Sequence, residues 1–258
     1  MTTDDRQLGR LATDEVHTAL TATSVLCLPI GSYEQHGPHL PLRTDTIVAE
    51  QFTDRLVDRY GDSHDLWTLP SVPYGLSPEH AWAPGTITLP ITVLTGLLDA
   101  ICGEYVRATP ARNLLIVNGH GGNRGILDAV VYELRQRHAV NVCVLHPSSL
   151  ATVRADGDLP EIHAGLQETS VMLALAPDDV RLERLPDTYS ADPGKAAAIR
   201  RLVLERGVTW PWSSDDPAMG ELGIIGGDAR HASADLGERI IASALDRCPD
   251  VITRLISN

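Results

Sequence analysis

The sequence predicts an α/β protein whose mainly parallel sheet is covered by helices on both faces. Short apolar runs without polar alternation, SVLCLPI (24–30), NLLIVNGH (113–120) and VNVCVLH (140–146), read as strands buried on both sides. Stripes of helical spacing lie between them, so the crossovers are helical and right-handed. At 43% hydrophobic and 21% charged, the composition is that of a globular protein. A chain of 258 residues suits one domain over 1–258 that buries ~75% of its unfolded surface.

Each element has its own signal. The first run ends at Gly31 and opens the polar loop GSYEQHGPHLPLRTDT (31–46). From Thr44 onward Val48, Phe52, Leu56 and Tyr60 recur every four residues, which predicts a helix that stops at Gly61. LWTLPSVP (66–73) is a further strand and loop, and PITVLTGLLDAICGEYVRA (90–108) a helix with Pro in its first turn. After Gly121 and Gly122 the stripe Ile126, Leu127, Val130, Val131 and Leu134 predicts a helix ending near His138. A helix follows Ala164 as far as Pro177, a loop spans 208–228, and helical segments close the chain from Ser233 to Ile256.

The net charge of −13 repels phosphate backbones and anionic membranes, so neither nucleic acid nor membrane is an expected partner. Cys27, Cys102, Cys143 and Cys248 form no CxxC pair and read as buried thiols in a reducing compartment. The acidic N-terminus resembles no targeting segment, and no apolar run approaches ~18 residues. A cytoplasmic location is expected.

Ligands of open parallel sheets gather at the carboxyl ends of the strands. Two loops fall there, 31–45 and 118–123, and together they supply Glu34, His36, Asp45 and His120, a set suited to Zn²⁺, Mn²⁺ or Fe²⁺. Each residue also has a plain structural use. Asp45 suits a helix cap, Glu34, His36 and His39 a solvated loop, and His120 the space under the following helix. IHAGLQETS (162–170) adds His163 and, in the first turn of a helix, Glu168. Glu168 suits the helix dipole, but the pair also suits a metal-bound carboxylate beside a proton-carrying imidazole.

EQHGPHLPLRTDT, VNGHGGN and HAGLQETS, with YGLSPEHAWAPGTITL (74–89) and GIIGGDARHASADLGERI (223–240), resemble in this order the creatininase family of metal-dependent amidohydrolases. The resemblance covers roughly residues 20–245. It implies a three-layer α/β/α sandwich, two divalent metal ions per chain and a homo-oligomer, often a hexamer. It also implies Glu34 and His120 as ligands of one ion, His36 of the other, Asp45 as the bridge and His163 as the catalytic proton carrier. Glu168 is expected as a further ligand or as a partner that orients one. Gly121 and Gly122 would free backbone N–H groups for substrate, and Ser77, Glu79 and His80 would line its entrance. Trp210 and Trp212 suit either a lid or a subunit contact.

Departures from the family pattern bear on substrate. Gly122 stands where creatinine hydrolases resemble NGHYEN and carry a glutamate ligand, and DGDLPEI (156–162) lacks their ring-enclosing tryptophan. The expected substrate is therefore another small-molecule or peptide amide. NGHGGN, with Leu166 in place of the glutamate of HAGExETS, resembles the mycofactocin-system peptidases that trim a modified precursor peptide. A deformylase, a creatinine-type cyclic amide hydrolase and a catalytically silent assembly subunit are the alternatives.

Overall fold

A computed structural model describes residues 3–257. Strands β1 (Val25–Ile30), β2 (Leu66–Thr68), β3 (Asn113–Asn118) and β4 (Asn141–Leu145) form one sheet in the order β2-β1-β3-β4, with all pairs parallel. The helices are α1 (Val16–Ala19), α2 (Thr44–His64), α3 (Ile91–Ala108), α4 (Arg124–His138), α5 (Pro147–Leu150), α6 (Leu166–Leu175), α7 (Pro193–Leu202), α8 (Ala234–Leu245) and α9 (Cys248–Ser257).

Every residue of β1 and β3 is buried, which is why neither run alternates with polar residues. Leu26, Leu28, Ile30, Leu114 and Ile116 face a layer containing Leu94 and Leu98 of α3 and Leu127 and Val130 of α4. Val25, Cys27, Leu115 and Val117 face Phe52 and Leu56 of α2, Ile240 and Ile241 of α8, and Ile252 of α9. The helices on both faces are thus in place.

Three departures from the sequence reading have a clear physical reason. Helix α2 runs three residues past Gly61 and ends in left-handed Asp65, because Gly61 is a packing position: a Cβ there would stand 2.7 Å from Arg6 Cδ. Strand β3 stops at Asn118, which frees Gly119 and His120 to turn into the site. Helix α7, which the sequence reading did not anticipate, packs Ala196, Ala198 and Ile199 with Leu159, Met219 and Ile225 into a separate small core.

Candidate metal centre

Both loops at the carboxyl ends of β1 and β3 fold against the start of α2. A Cβ on Gly31 would lie 2.5 Å from the Thr46 backbone, and one on Gly119 would collide with the Asp45 carbonyl oxygen. Only glycine allows this approach, and it brings Asp45 beside His120. Asp45 does not cap α2, whose N-cap is Arg43. Its side chain is buried and aimed at the two loops instead.

Five side chains meet there. His120 Nδ1 stands 3.1 Å from Asp45 Oδ2 and 3.3 Å from Glu34 Oε1. His36 Nε2 stands 3.4 Å from Asp45 Oδ1 and 3.8 Å from Glu168 Oε1. Asp45 therefore presents one oxygen to each imidazole. His163 and His80 close the far side, with His163 Nδ1 at 3.7 Å and His80 Nε2 at 3.4 Å from Glu34 Oε1. Among the described residues, five buried polar atoms have no hydrogen-bond partner, and three of them are Glu34 Oε1, His36 Nε2 and Asp45 Oδ2. Buried polar atoms are rarely left so, and three aimed at one point fit divalent cations.

The imidazoles are oriented for ligation. His36 Nδ1 donates to the Glu34 carbonyl at 3.2 Å and His120 Nε2 to the Leu76 carbonyl at 2.7 Å. Each ring thus turns a lone pair toward the carboxylates, the backbone-anchored arrangement that metal-binding histidines use. Burial opposes charge on His36, but Asp45 and Glu168 outweigh it and raise its pKa to about 10. Burial likewise works against a charged His120, yet Glu34 and Asp45 lift it well above its ordinary value. Asp45 is held below the carboxylate range against its burial by His120 and His36, whereas burial pushes Glu168 up to about 7.

The remaining expected residues divide. Glu168, in the first turn of α6, accepts the Ala164 N–H at 2.6 Å through Oε2 and turns Oε1 to His36. Gly122 leaves no room for a side chain, since a Cβ there would collide with His120 Nε2 and the Leu76 carbonyl and stand 2.6 Å from Glu79 Oε1. Ser77 does not line the entrance: it is buried, and its hydroxyl bonds Glu34 Oε2 with Ser32 Oγ behind it. Glu79, His80, Gly121, Gly122 and Trp212 do line a cavity of about 1160 Å³ that opens from the cluster. Trp210 is half exposed and donates to Glu205 at 3.2 Å.

Sequence reasoning missed Gln35 and Ser214. Gln35 Nε2 lies 2.9 Å from His80 Nδ1, and Ser214 Oγ lies 2.8 Å from the same atom. Position 35, flanked by two expected ligands, was the available signal.

Residues 9–252 match the sequence model of the Creatininase family, described as creatinine amidohydrolase. The chain belongs to the creatininase family. It is a hydrolase acting on carbon–nitrogen bonds, with the α/β/α fold of that family. It is 35% identical over 251 residues to the mycofactocin precursor peptide peptidase of Mycolicibacterium smegmatis, covering 96% of this chain and 90% of that one. A solved structure named creatininase Mn superposes with a TM-score of 0.76 at 27% identity, covering 98% of this chain and 99% of the other. A mutant creatininase of Zn–Zn type matches with the same score and identity over 100% of both chains.

Proposed function

We propose that this creatininase-family chain is a dinuclear metal-dependent peptidase that trims a modified precursor peptide. The observation that carries the metal part is the convergence of the unpartnered Glu34 Oε1, His36 Nε2 and Asp45 Oδ2. Glu34, Asp45 and His120 would hold one ion; His36, Asp45 and Glu168 the other, the position that Gly122 cannot serve. Zn²⁺, Mn²⁺ and Fe²⁺ all suit this oxygen and nitrogen set, and the manganese and zinc forms of solved creatininases support the first two. Such ions lower the pKa of water and polarise a carbonyl oxygen.

The protein's own part lies in orientation and proton transfer. His163 Nε2 donates to the Gln35 carbonyl at 2.7 Å, which leaves Nδ1 as an acceptor facing the cluster. Burial, with His36 and His80 close by, holds its pKa well below the ordinary value and so favours the neutral ring. It would accept one from the attacking water and return it to the departing nitrogen, so that the C–N bond breaks as a C–O bond forms.

A peptide is favoured over a small cyclic amide by the size of the cavity. About 1160 Å³ exceeds what one drug-sized ligand fills, and its wall includes Arg124, Arg154 and Arg200. The mycobacterial relative supports the same substrate class. The net charge of −13 argues against nucleic acid. Among the described residues no helix is long and apolar enough to cross a membrane, and the cysteines are free, which supports a cytoplasmic setting. The exposed Ile91, Val93 and Leu97 of α3 supply an apolar face for a homo-oligomer such as a hexamer.

Purified protein reloaded with Zn²⁺ or Mn²⁺ is expected to hold two ions per chain and to shorten a precursor peptide encoded near its gene, as read by mass spectrometry, with EDTA abolishing both. Formate release from a formamide, or ring opening of creatinine, without peptide cleavage would replace the peptidase reading by the deformylase or cyclic amidase one. A folded protein that retains no metal and hydrolyses nothing would point to an assembly subunit.

A further inference from the structure

Four imidazoles face the cluster, and one of them is wired the opposite way. His36, His120 and His163 each bond a backbone carbonyl through one ring nitrogen, so each offers a lone pair to the centre. His80 bonds donors instead. The Gln35 amide is oriented by the Gly37 N–H, which donates to Gln35 Oε1 at 2.9 Å, so its Nε2 must be the NH₂ group. That group lies 2.9 Å from His80 Nδ1 and 3.1 Å from His163 Nε2, whose own hydrogen goes to the Gln35 carbonyl at 2.7 Å. Ser214 Oγ, which accepts the Trp82 indole N–H at 2.8 Å, stands 2.8 Å from the same nitrogen. Nδ1 of His80 is therefore an acceptor, and in the neutral ring the proton sits on Nε2.

Nε2 stands 3.4 Å from Glu34 Oε1, and His80 lines the cavity with its ring stacked on His163 at 4.0 Å between centroids. Glu34, His80 and His163 lie close enough together to suggest a further metal nest. A metal there would need the His80 proton on Nδ1, 2.9 Å from the Gln35 NH₂, which has no lone pair to receive it.

We infer that His80 is a catalytic hydrogen-bond donor: its Nε2–H meets the oxygen that gains negative charge when the amide carbonyl is attacked, and Gln35 is the positioning residue that fixes this tautomer. The inference deepens the hydrolase reading and rests on it. As water adds to the carbonyl carbon, the C=O pair moves onto oxygen. His80 stabilises that charge without giving up its proton. His163, one ring away, takes the proton of the water at Nδ1. One glutamine thus touches both: its side chain sets His80 as donor and its carbonyl sets His163 as acceptor.

The test uses the full chain loaded with Zn²⁺ and labelled with ¹⁵N-histidine. Long-range proton–nitrogen correlation should show His80 protonated at Nε2 and bare at Nδ1. Titration with methylphosphonate, a tetrahedral anion, should move the Nε2 proton downfield. His80→Leu should weaken methylphosphonate binding about tenfold, His80→Asn should recover part of that affinity, and both should keep the wild-type zinc content. Gln35→Glu, which removes the amide donor, should shift the His80 proton to Nδ1 and match the Leu variant in affinity. A proton on Nδ1 in the wild-type protein, a metal-coordinated Nε2, no methylphosphonate binding by the wild type, or equal affinity in His80→Leu would each overturn the assignment. The wild-type spectrum stands even if a variant fails to fold. Peptide cleavage by a protein with the wrong His80 tautomer would leave the peptidase reading intact and remove only this inference.

Discussion

At the amino ends of the strands Arg6 is buried, and so are Glu34, His36 and Asp45 at the carboxyl ends. The two ends treat their buried charge in opposite ways. Arg6 donates to Asp62 at 2.9 Å, to Asp65 at 3.2 Å and to the Leu66 carbonyl at 3.2 Å, with its guanidinium 5.4 Å from the Trp67 ring. Asp65 also accepts from Ser24 and, at 2.9 Å, from Trp67 Nε1. At the other end one oxygen or nitrogen of each of Glu34, His36 and Asp45 has no partner. Burial of a charged group is thus no guide to function by itself; what separates structure from site is whether the group's hydrogen bonds close within the protein.

The largest effect that this contrast predicts is at the unpaired end. Glu34→Ala and His120→Ala should each remove metal retention and lower hydrolysis by roughly 1000-fold, on the order of 4 kcal/mol in transition-state stabilisation. In EDTA the Glu34→Ala protein should melt close to the wild type, because relief of the desolvation cost of Oε1 offsets the lost Ser77 bond to Oε2. Metal analysis and thermal denaturation check this, and a marked loss of metal-free stability would show the cluster to be structural after all.

The paired end should respond the other way. Arg6→Ala leaves Asp65 with Ser24 and Trp67 but strips the bonds to Asp62 and the Leu66 carbonyl. Since Asp62 is largely exposed, the cost is set at about 2 kcal/mol rather than the full penalty of a broken buried pair. For a chain of this length that lowers the melting temperature by roughly 4–8 °C, while metal content and activity per folded molecule stay unchanged.

What the sequence revealed follows the same division. The fold was legible because β1 and β3 are buried on both faces and so read as unbroken apolar runs. Glu34, His36, Asp45 and His120 were legible because strand-end loops seldom hold so many ligand-type side chains, and the family resemblance then singled out His163 and Glu168, which the structure brings to the same cluster. Helix α7 was not legible: its Pro193–Leu202 segment is rich in alanine and arginine, and it packs only against a small local core. Ser77, Gln35 and Ser214 acquire meaning from contacts 43 to 179 residues away, which no local pattern encodes.

Ser77 gives the smallest and sharpest expectation, because it lies where the two kinds of bonding meet. Glu34 Oε2 is satisfied by the Ser77 hydroxyl while Oε1 is left open, so one carboxylate is half closed and half open. The hydroxyl fixes the carboxylate plane, and Ser32 Oγ fixes the hydroxyl in turn. Ser77→Ala should leave the fold and the ligand set in place but let Glu34 rotate, weakening metal binding roughly tenfold, within the range typical for partners that orient a ligand. Ser32→Ala, one bond further out, should weaken it less. Competition with a chelator of known affinity measures both, and a Ser77→Ala protein that binds metal as tightly as the wild type would mean that Glu34 is held by packing alone.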